Sequence, residues 1–140
     1  MKLNKLTPNF AVQDIEKTVE FYQDVLGFKL EMAVAEDKNG IETELNKNKR
    51  YVYAMMRRDG IEFMFQRTDS IGEDIPPLKG MNQGASVSFY MEGEGIKALY
   101  QELKSKNVDI EKKLGTAWYG MEEFYIKDCN GYILGFAERK

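Results

Sequence analysis

The groups that could do chemistry in this chain are carboxylates, tyrosines, lysines and one cysteine, because the sequence contains no histidine. Histidine is the commonest metal ligand and the usual general base near neutral pH. A zinc or iron site would need oxygen ligands alone, which those metals rarely accept in enzymes. The two carboxylates that strand alternation places on one face with several aromatic residues are Glu62 and Glu123.

That strand face mixes aromatic, methionine and polar side chains, as do the binding sites of bulky organic ligands. From it we predict the ligand-binding residues Tyr53, Met55, Glu62, Met64, Gln66, Ser88, Tyr90, Trp118, Met121, Glu123 and Tyr125. The same residue types also build cores and dimer interfaces. Glu62 has a second interpretation as the ion-pair partner of Arg57 across a hairpin. Glu123 has no partner at a suggestive spacing, so it either attracts a cation or reaches solvent.

Composition excludes several classes of function. The 140 residues are 43% hydrophobic and 31% charged with a net charge of −3, as in ordinary globular proteins. The sequence has no cluster of lysine and arginine that would predict nucleic-acid binding. It also has no apolar run that would predict a membrane span or a signal peptide. The single cysteine cannot form an intramolecular disulfide. We therefore expect a cytoplasmic protein with no nucleic-acid or membrane partner.

The elements that must position these residues begin with a strand over 3–12, in which Pro8 indicates an edge. A helix follows, capped by Asp14 and ended near Leu26, and a second strand spans 28–35. The polar stretch 36–49 is predicted as a solvated loop, with a mobile lid as the alternative.

Two strands, 51–58 and 61–67, are joined by Asp59-Gly60, which is a strong hairpin signal. This turn sets Arg57 opposite Glu62.

The second half repeats this order. Residues 68–83 show no periodicity and are predicted as a connector, so the chain divides into modules at 1–67 and 84–140. A strand over 85–91, an amphipathic helix, a strand over 108–113 and a closing hairpin follow. Two segments in equivalent helix-to-strand positions resemble each other, FYQDVLGFKLE and LYQELKSKNVDIE.

The first βα unit, NFAVQDIEKTVEFYQDVLGF, and the closing hairpin, WYGMEEFYIKDCNGYILGFAE, resemble the vicinal oxygen chelate superfamily. The superfamily includes glyoxalase I, extradiol dioxygenases, and fosfomycin and bleomycin resistance proteins. The resemblance implies an α+β fold in which two tandem βαβββ modules form curled mixed sheets around a cleft, usually in a homodimer.

In the family's enzymes four strands each supply one ligand to a divalent metal. Matched strand by strand, these positions fall on Thr7, Glu62, Ser86 and Gly135. Only Glu62 is a strong ligand, because hydroxyl groups bind metals weakly and glycine has no side chain. An alignment shifted by two residues brings in Asn9, Gln66 and Ser88, still without a histidine.

We therefore expect a metal-independent binding protein of the bleomycin-resistance type, without a cofactor, that sequesters a bulky aromatic or cationic small molecule in a dimer cleft. The alternative is a divalent-metal-dependent lyase, isomerase or thiol transferase with Glu62 as its anchor and Mg²⁺ or Mn²⁺ as the metal. A third interpretation is a cleft filled at a dimer interface. Antibiotic resistance would not follow from binding alone.

Overall fold

The computed structural model describes residues 1–84 and 86–140, and its chain divides into two compact units, Met1–Gln83 and Gly84–Lys140. Each unit contains one four-stranded mixed sheet and one ten-residue helix. The elements are β1 (Asn9–Val12), α1 (Ile15–Asp24), β2 (Lys29–Ala35), β3 (Tyr51–Arg58), β4 (Ile61–Arg67), α2 (Thr68–Asp74), β5 (Ser88–Glu92), α3 (Ile96–Ser105), β6 (Asp109–Thr116), β7 (Met121–Lys127) and β8 (Ile133–Arg139). The predicted α+β fold with two βαβββ modules is confirmed.

The first unit has the strand order β1-β4-β3-β2, with β1 parallel to β4. The predicted strand over 3–12 shortens to β1 at the sheet edge, where the Pro8 carbonyl accepts a hydrogen bond from the Met64 amide at 2.8 Å. Helix α1 begins at the predicted cap, since the Asp14 carboxylate accepts from the Lys17 amide at 2.9 Å. The helix buries Tyr22 against Phe63 and Phe65, so one face of this sheet is core.

The second unit has the order β5-β8-β7-β6, with β5 parallel to β8. Helix α3 packs Tyr100 against Phe124, and Phe124 stacks on Phe136. The Glu138 carboxylate accepts from the Gly95 and Ile96 amides at 3.1 and 3.2 Å. A negative charge there satisfies free amides at the helix start and complements the helix dipole.

Each hairpin turn contains one residue with a positive φ angle. Asp59 has φ +51°, and the register pairs Arg57 with Glu62 as expected. In the closing turn Gly131 has φ +93°, and the Asp128 carboxylate accepts from the Asn130 and Tyr132 amides at 2.8 Å each. The left-handed residue after α3, Asn107, has φ +57°. Cys129 is exposed and forms no disulfide.

The structure differs from the prediction over 68–83. Instead of an irregular connector, this segment forms α2 and a 3₁₀ turn at Pro76–Leu78. A seven-residue helix shows too few apolar positions for periodicity to register, and Ile71 is its buried anchor. The strand predicted over 85–91 is observed as Ser88–Glu92, and Ala85 lies outside the described residues. No helix of the described chain is long and apolar enough to span a membrane.

Candidate functional site

The candidate site residues lie on the sheet face of each unit that points away from its ten-residue helix. Strand pairing places directly opposite residues on the same face. We define the first site face by Asn9, Tyr53, Met55, Arg57, Glu62, Met64 and Gln66. We define the second site face by Ser88, Tyr90, Lys112, Met121, Glu123, Tyr125, Ile133 and Gly135. Every predicted residue except Trp118 lies on one of these two faces.

Glu62 is held by two cations on the first site face. Its carboxylate accepts from Lys5 and from Arg57, and Arg57 also pairs with Glu31. Only 5% of the Glu62 side chain is exposed. The hydrogen bond from Lys5 lowers the pKa of Glu62, and the charges of Lys5 and Arg57 add to this against the opposing effect of desolvation. The ion pair with Arg57 is as expected, whereas nothing in the sequence pointed to Lys5.

These ion pairs make a prediction about acid stability. Because the folded-state pKa of Glu62 lies below 4.5, its contribution is complete above pH 4.5 and is lost as the pH falls through the lowered value. Glu62→Gln should therefore have a lower free energy of unfolding than the wild type at pH 7. At pH 3 the two free energies should be closer to each other. Urea unfolding at both pH values measures this, with Glu20→Gln on exposed α1 surface as the control. A Glu62→Gln deficit as large at pH 3 as at pH 7 would contradict the assignment.

Gln66 is committed to a hydrogen-bond network in the first unit. Its Oε1 accepts from the Asn9 Nδ2 at 3.0 Å, and its Nε2 donates to Ser70 at 2.9 Å and to Asp74 at 2.7 Å. The Asn9 Oδ1 is buried with no hydrogen-bond partner in the described structure. The amide oxygen of Gln66 is thus already occupied by an internal donor.

Glu123 lies at the centre of a second cluster. Its carboxylate accepts hydrogen bonds from the Tyr119 hydroxyl at 2.6 Å and the Tyr90 hydroxyl at 2.9 Å, and the Lys112 ammonium is 3.5 Å away. Glu123 is 2% exposed, so it does not reach solvent as one interpretation had it. The sequence pattern missed Tyr119 and Lys112, because one lies in a turn and the other on an irregular stretch of strand pairing.

The cluster fixes the protonation states of its members. Burial raises the pKa of Glu123, but the two tyrosine hydroxyls and the charge of Lys112 outweigh it, and the net pKa is lowered. Desolvation of its hydroxyl and the bond to Glu123 raise the pKa of Tyr90 to about 12. Near neutral pH the cluster therefore consists of a carboxylate and neutral phenols.

Gly135 has no room for a side chain. A Cβ atom there would lie 2.5 Å from one ring carbon of Tyr125 and 2.9 Å from the next. Tyr125 is the direct strand partner of Gly135. The ring of Tyr125 thus occupies the space that a residue at position 135 would project into.

The residues at the family's metal-ligand positions do not fit a transition-metal ion. Glu62 is neutralised by Lys5 and Arg57, and Gly135 offers no donor and is covered by Tyr125. The remaining donors would be the hydroxyls of Thr7 and Ser86, which are weak neutral ligands. Within the residues that the structure describes, no group of three or more acidic, cysteine or histidine side chains could hold a metal.

Trp118 stands apart from the strand faces, in the turn between β6 and β7. It is 95% exposed and contacts the Tyr119 ring edge-on, with the ring centroids 5.4 Å apart. An exposed indole has a large apolar surface to bury on a planar partner.

A groove of about 610 Å³ lies on the helix side of the first unit. Its described walls come from α1, β2 and the loop over 43–47, and they contain no residue of the predicted set. This groove is therefore separate from the first site face.

Two units with the same strand-helix-strand-strand-strand order, each with one parallel strand pair in a mixed sheet, define the class of paired βαβββ proteins. The model of the Glyoxalase/Bleomycin resistance protein/Dioxygenase superfamily matches residues 2–136, and the chain belongs to this superfamily.

Solved structures share the fold at low sequence identity. A glyoxalase/bleomycin resistance protein/dioxygenase from Nocardioides has 16% identity and a TM-score of 0.72 over 99% of this chain and 85% of its own. A superfamily member from Sphaerobacter thermophilus DSM 20745 has 17% identity and a TM-score of 0.71, covering 98% of both chains. TioX from Micromonospora sp. ML1 has 15% identity and a TM-score of 0.66 over 98% of this chain and 97% of its own. No curated protein matches the sequence.

Proposed function

We propose that this protein binds a bulky aromatic small molecule without a metal ion and releases it unchanged. The observation that carries the proposal is the pairing of Gly135 with Tyr125. The position at which the family's enzymes hold a metal ligand has no side chain, and an aromatic ring fills its space. An aromatic ring thus lies where a metal-ligand oxygen would be. Such a surface favours contact with an apolar, planar molecule and does not favour metal binding.

The first site face supports the same proposal. Tyr53, Met55 and Met64 are half-buried, so they keep accessible apolar surface beside one another on paired strands. Because its charge is already balanced by Lys5 and Arg57, Glu62 adds little attraction for a ligand cation. The first site face thus offers a ligand mainly apolar contact area. Its methionine side chains are flexible and can fit ligands of irregular shape.

The assembled form that we propose is a homodimer. It rests on the resemblance to the superfamily to which the chain belongs, whose members usually form homodimers. Size-exclusion chromatography with light scattering tests this proposal separately from ligand binding.

A thermal-shift screen tests the binding function. A planar aromatic compound that binds the native state should stabilise it by about 1.4 kcal/mol at ten times its Kd, and the shift should be unchanged by a chelator. Trp118→Ala should reduce the shift of planar ligands. Ile41→Ala, an exposed apolar residue outside both site faces, serves as the control. A library of aromatic compounds that never moves the melting point, or a shift that disappears with the chelator, would count against the proposal.

A further inference from the structure

The ammonium group of Lys112 lies between a buried carboxylate and an aromatic face. Its Nζ is 3.5 Å from a carboxylate oxygen of Glu123 and 5.7 Å from the ring centroid of Tyr125. The Tyr90 ring stands beside that of Tyr125, with centroids 6.4 Å apart and planes at 41°. Tyrosine faces around a carboxylate are the surroundings in which proteins bind organic ammonium ions.

The hydrogen bonds around Glu123 also favour a cation over an anion at this position. The Glu123 carboxylate only accepts, so Tyr90 and Tyr119 must each donate their single hydroxyl proton to it. The two phenol oxygens then present lone pairs and no proton to any other group. Both tyrosines remain accessible, with 45% and 43% of their surface exposed. A cationic donor is therefore favoured beside them, and an anion is not.

Lys112 holds its place weakly. It lies on β6, at one end of the strand order of its sheet, in an irregular part of the β6–β7 register, and 62% of its side chain is exposed. Its Nζ contacts Glu123 at a long distance of 3.5 Å and lies over the Tyr125 ring, and because the lysine side chain is largely exposed, solvent screens its end of the ion pair. The carboxylate of Glu62 differs from that of Glu123, because it is paired with two cations, Lys5 and Arg57, on the first site face.

We propose that the second site face binds the ammonium group of an organic amine between Glu123 and the rings of Tyr90, Tyr119 and Tyr125, and that Lys112 occupies this position until the ligand displaces it. The inference rests on the proposed function, since the rest of the ligand is the aromatic body bound there. It narrows the ligand class to aromatic amines that are protonated at neutral pH. It also assigns the attraction for a cation to Glu123 instead of Glu62.

Isothermal titration calorimetry with 2-naphthylmethylammonium and the uncharged 2-naphthylmethanol tests the inference. The wild type should bind the ammonium compound more tightly than the alcohol. Lys112→Met keeps most of the side-chain length and vacates the position, so affinity for the ammonium compound should rise by about two- to fivefold. Lys113→Met makes the same charge change on the neighbouring residue and should leave the affinity unchanged. Glu123→Gln should remove the preference for the ammonium compound, a loss of about tenfold or more.

The outcomes separate the two proposals. Equal affinity for the two compounds in the wild type, or a Lys112→Met variant no tighter than Lys113→Met, overturns the cation site and leaves aromatic binding standing. Failure of both compounds, together with a negative thermal-shift screen, overturns the proposed function as well. Since Lys112 and Lys113 are exposed, their comparison remains decisive even where Glu123→Gln does not fold.

Discussion

Gly135→Ala is expected to lower the free energy of unfolding by about 1–3 kcal/mol, the cost of overpacking a well-packed position. The added Cβ would lie 2.5 Å from the Tyr125 ring, so the ring must turn away or the β7–β8 pair must separate. Turning away takes the ring from its neighbours Tyr90 and Lys112. Gly135→Glu, which places a larger side chain against the same ring, should lower the free energy of unfolding further. Urea unfolding measures both changes.

Two further variants separate the clash from the general effect of removing a glycine. Gly115→Ala also replaces a strand glycine, but the nearest atom to its Cβ is 3.9 Å away, so it should be neutral or slightly stabilising. Tyr125→Ala should make Gly135→Ala much less costly, as a double-mutant cycle would show. A Gly135→Ala variant as stable as Gly115→Ala would contradict the account of position 135.

Much of the fold could be predicted because local signals fix it. The two-residue Asp59-Gly60 turn sets the pairing of β3 with β4, so the contact between Arg57 and Glu62 follows from counting outward. The helix cap at Asp14 is equally local, since it depends on one side chain. Alternation then assigns each strand residue to a face without knowledge of the tertiary structure.

The partners of the site residues could not be predicted, because they depend on long-range geometry. Lys5 reaches Glu62 only because β1 runs parallel to β4, which brings together residues 57 positions apart. Lys112 reaches Glu123 across a register irregularity that no turn sequence encodes. Strand alternation puts Tyr125 and Gly135 on one face, but only the atomic packing reveals that the tyrosine ring fills the space at position 135. Side-chain partners, and not strand faces, therefore decide what the carboxylates can do.

The loop over 36–49 connects β2 to β3, and one tyrosine anchors it. Tyr51 is fully buried, and its hydroxyl accepts from the Asn46 amide at 2.7 Å and donates to Glu42 at 2.8 Å. Glu42 also accepts from Lys49 at 3.1 Å, and its backbone pairs with that of Ala33. Most of the loop surface is exposed, as expected of a solvated loop. A lid function, the alternative, would require this anchor to release.

Tyr51→Phe is expected to lower the free energy of unfolding by about 1.5–3 kcal/mol. The substitution removes a buried hydrogen bond to a charged group and leaves the Asn46 amide without its acceptor. Much of the loss should be local, so hydrogen exchange of the amides over 42–49 should accelerate more than that of β3. Tyr53→Phe is the matched control, because it deletes the same atom two residues along the same strand, from a half-buried side chain. If both variants unfold at the same urea concentration and exchange alike, Tyr51 does not anchor the loop. If Tyr51→Phe alone frees the loop and also changes the affinity for a ligand of the site faces, the loop acts as a lid whose closed state Tyr51 holds.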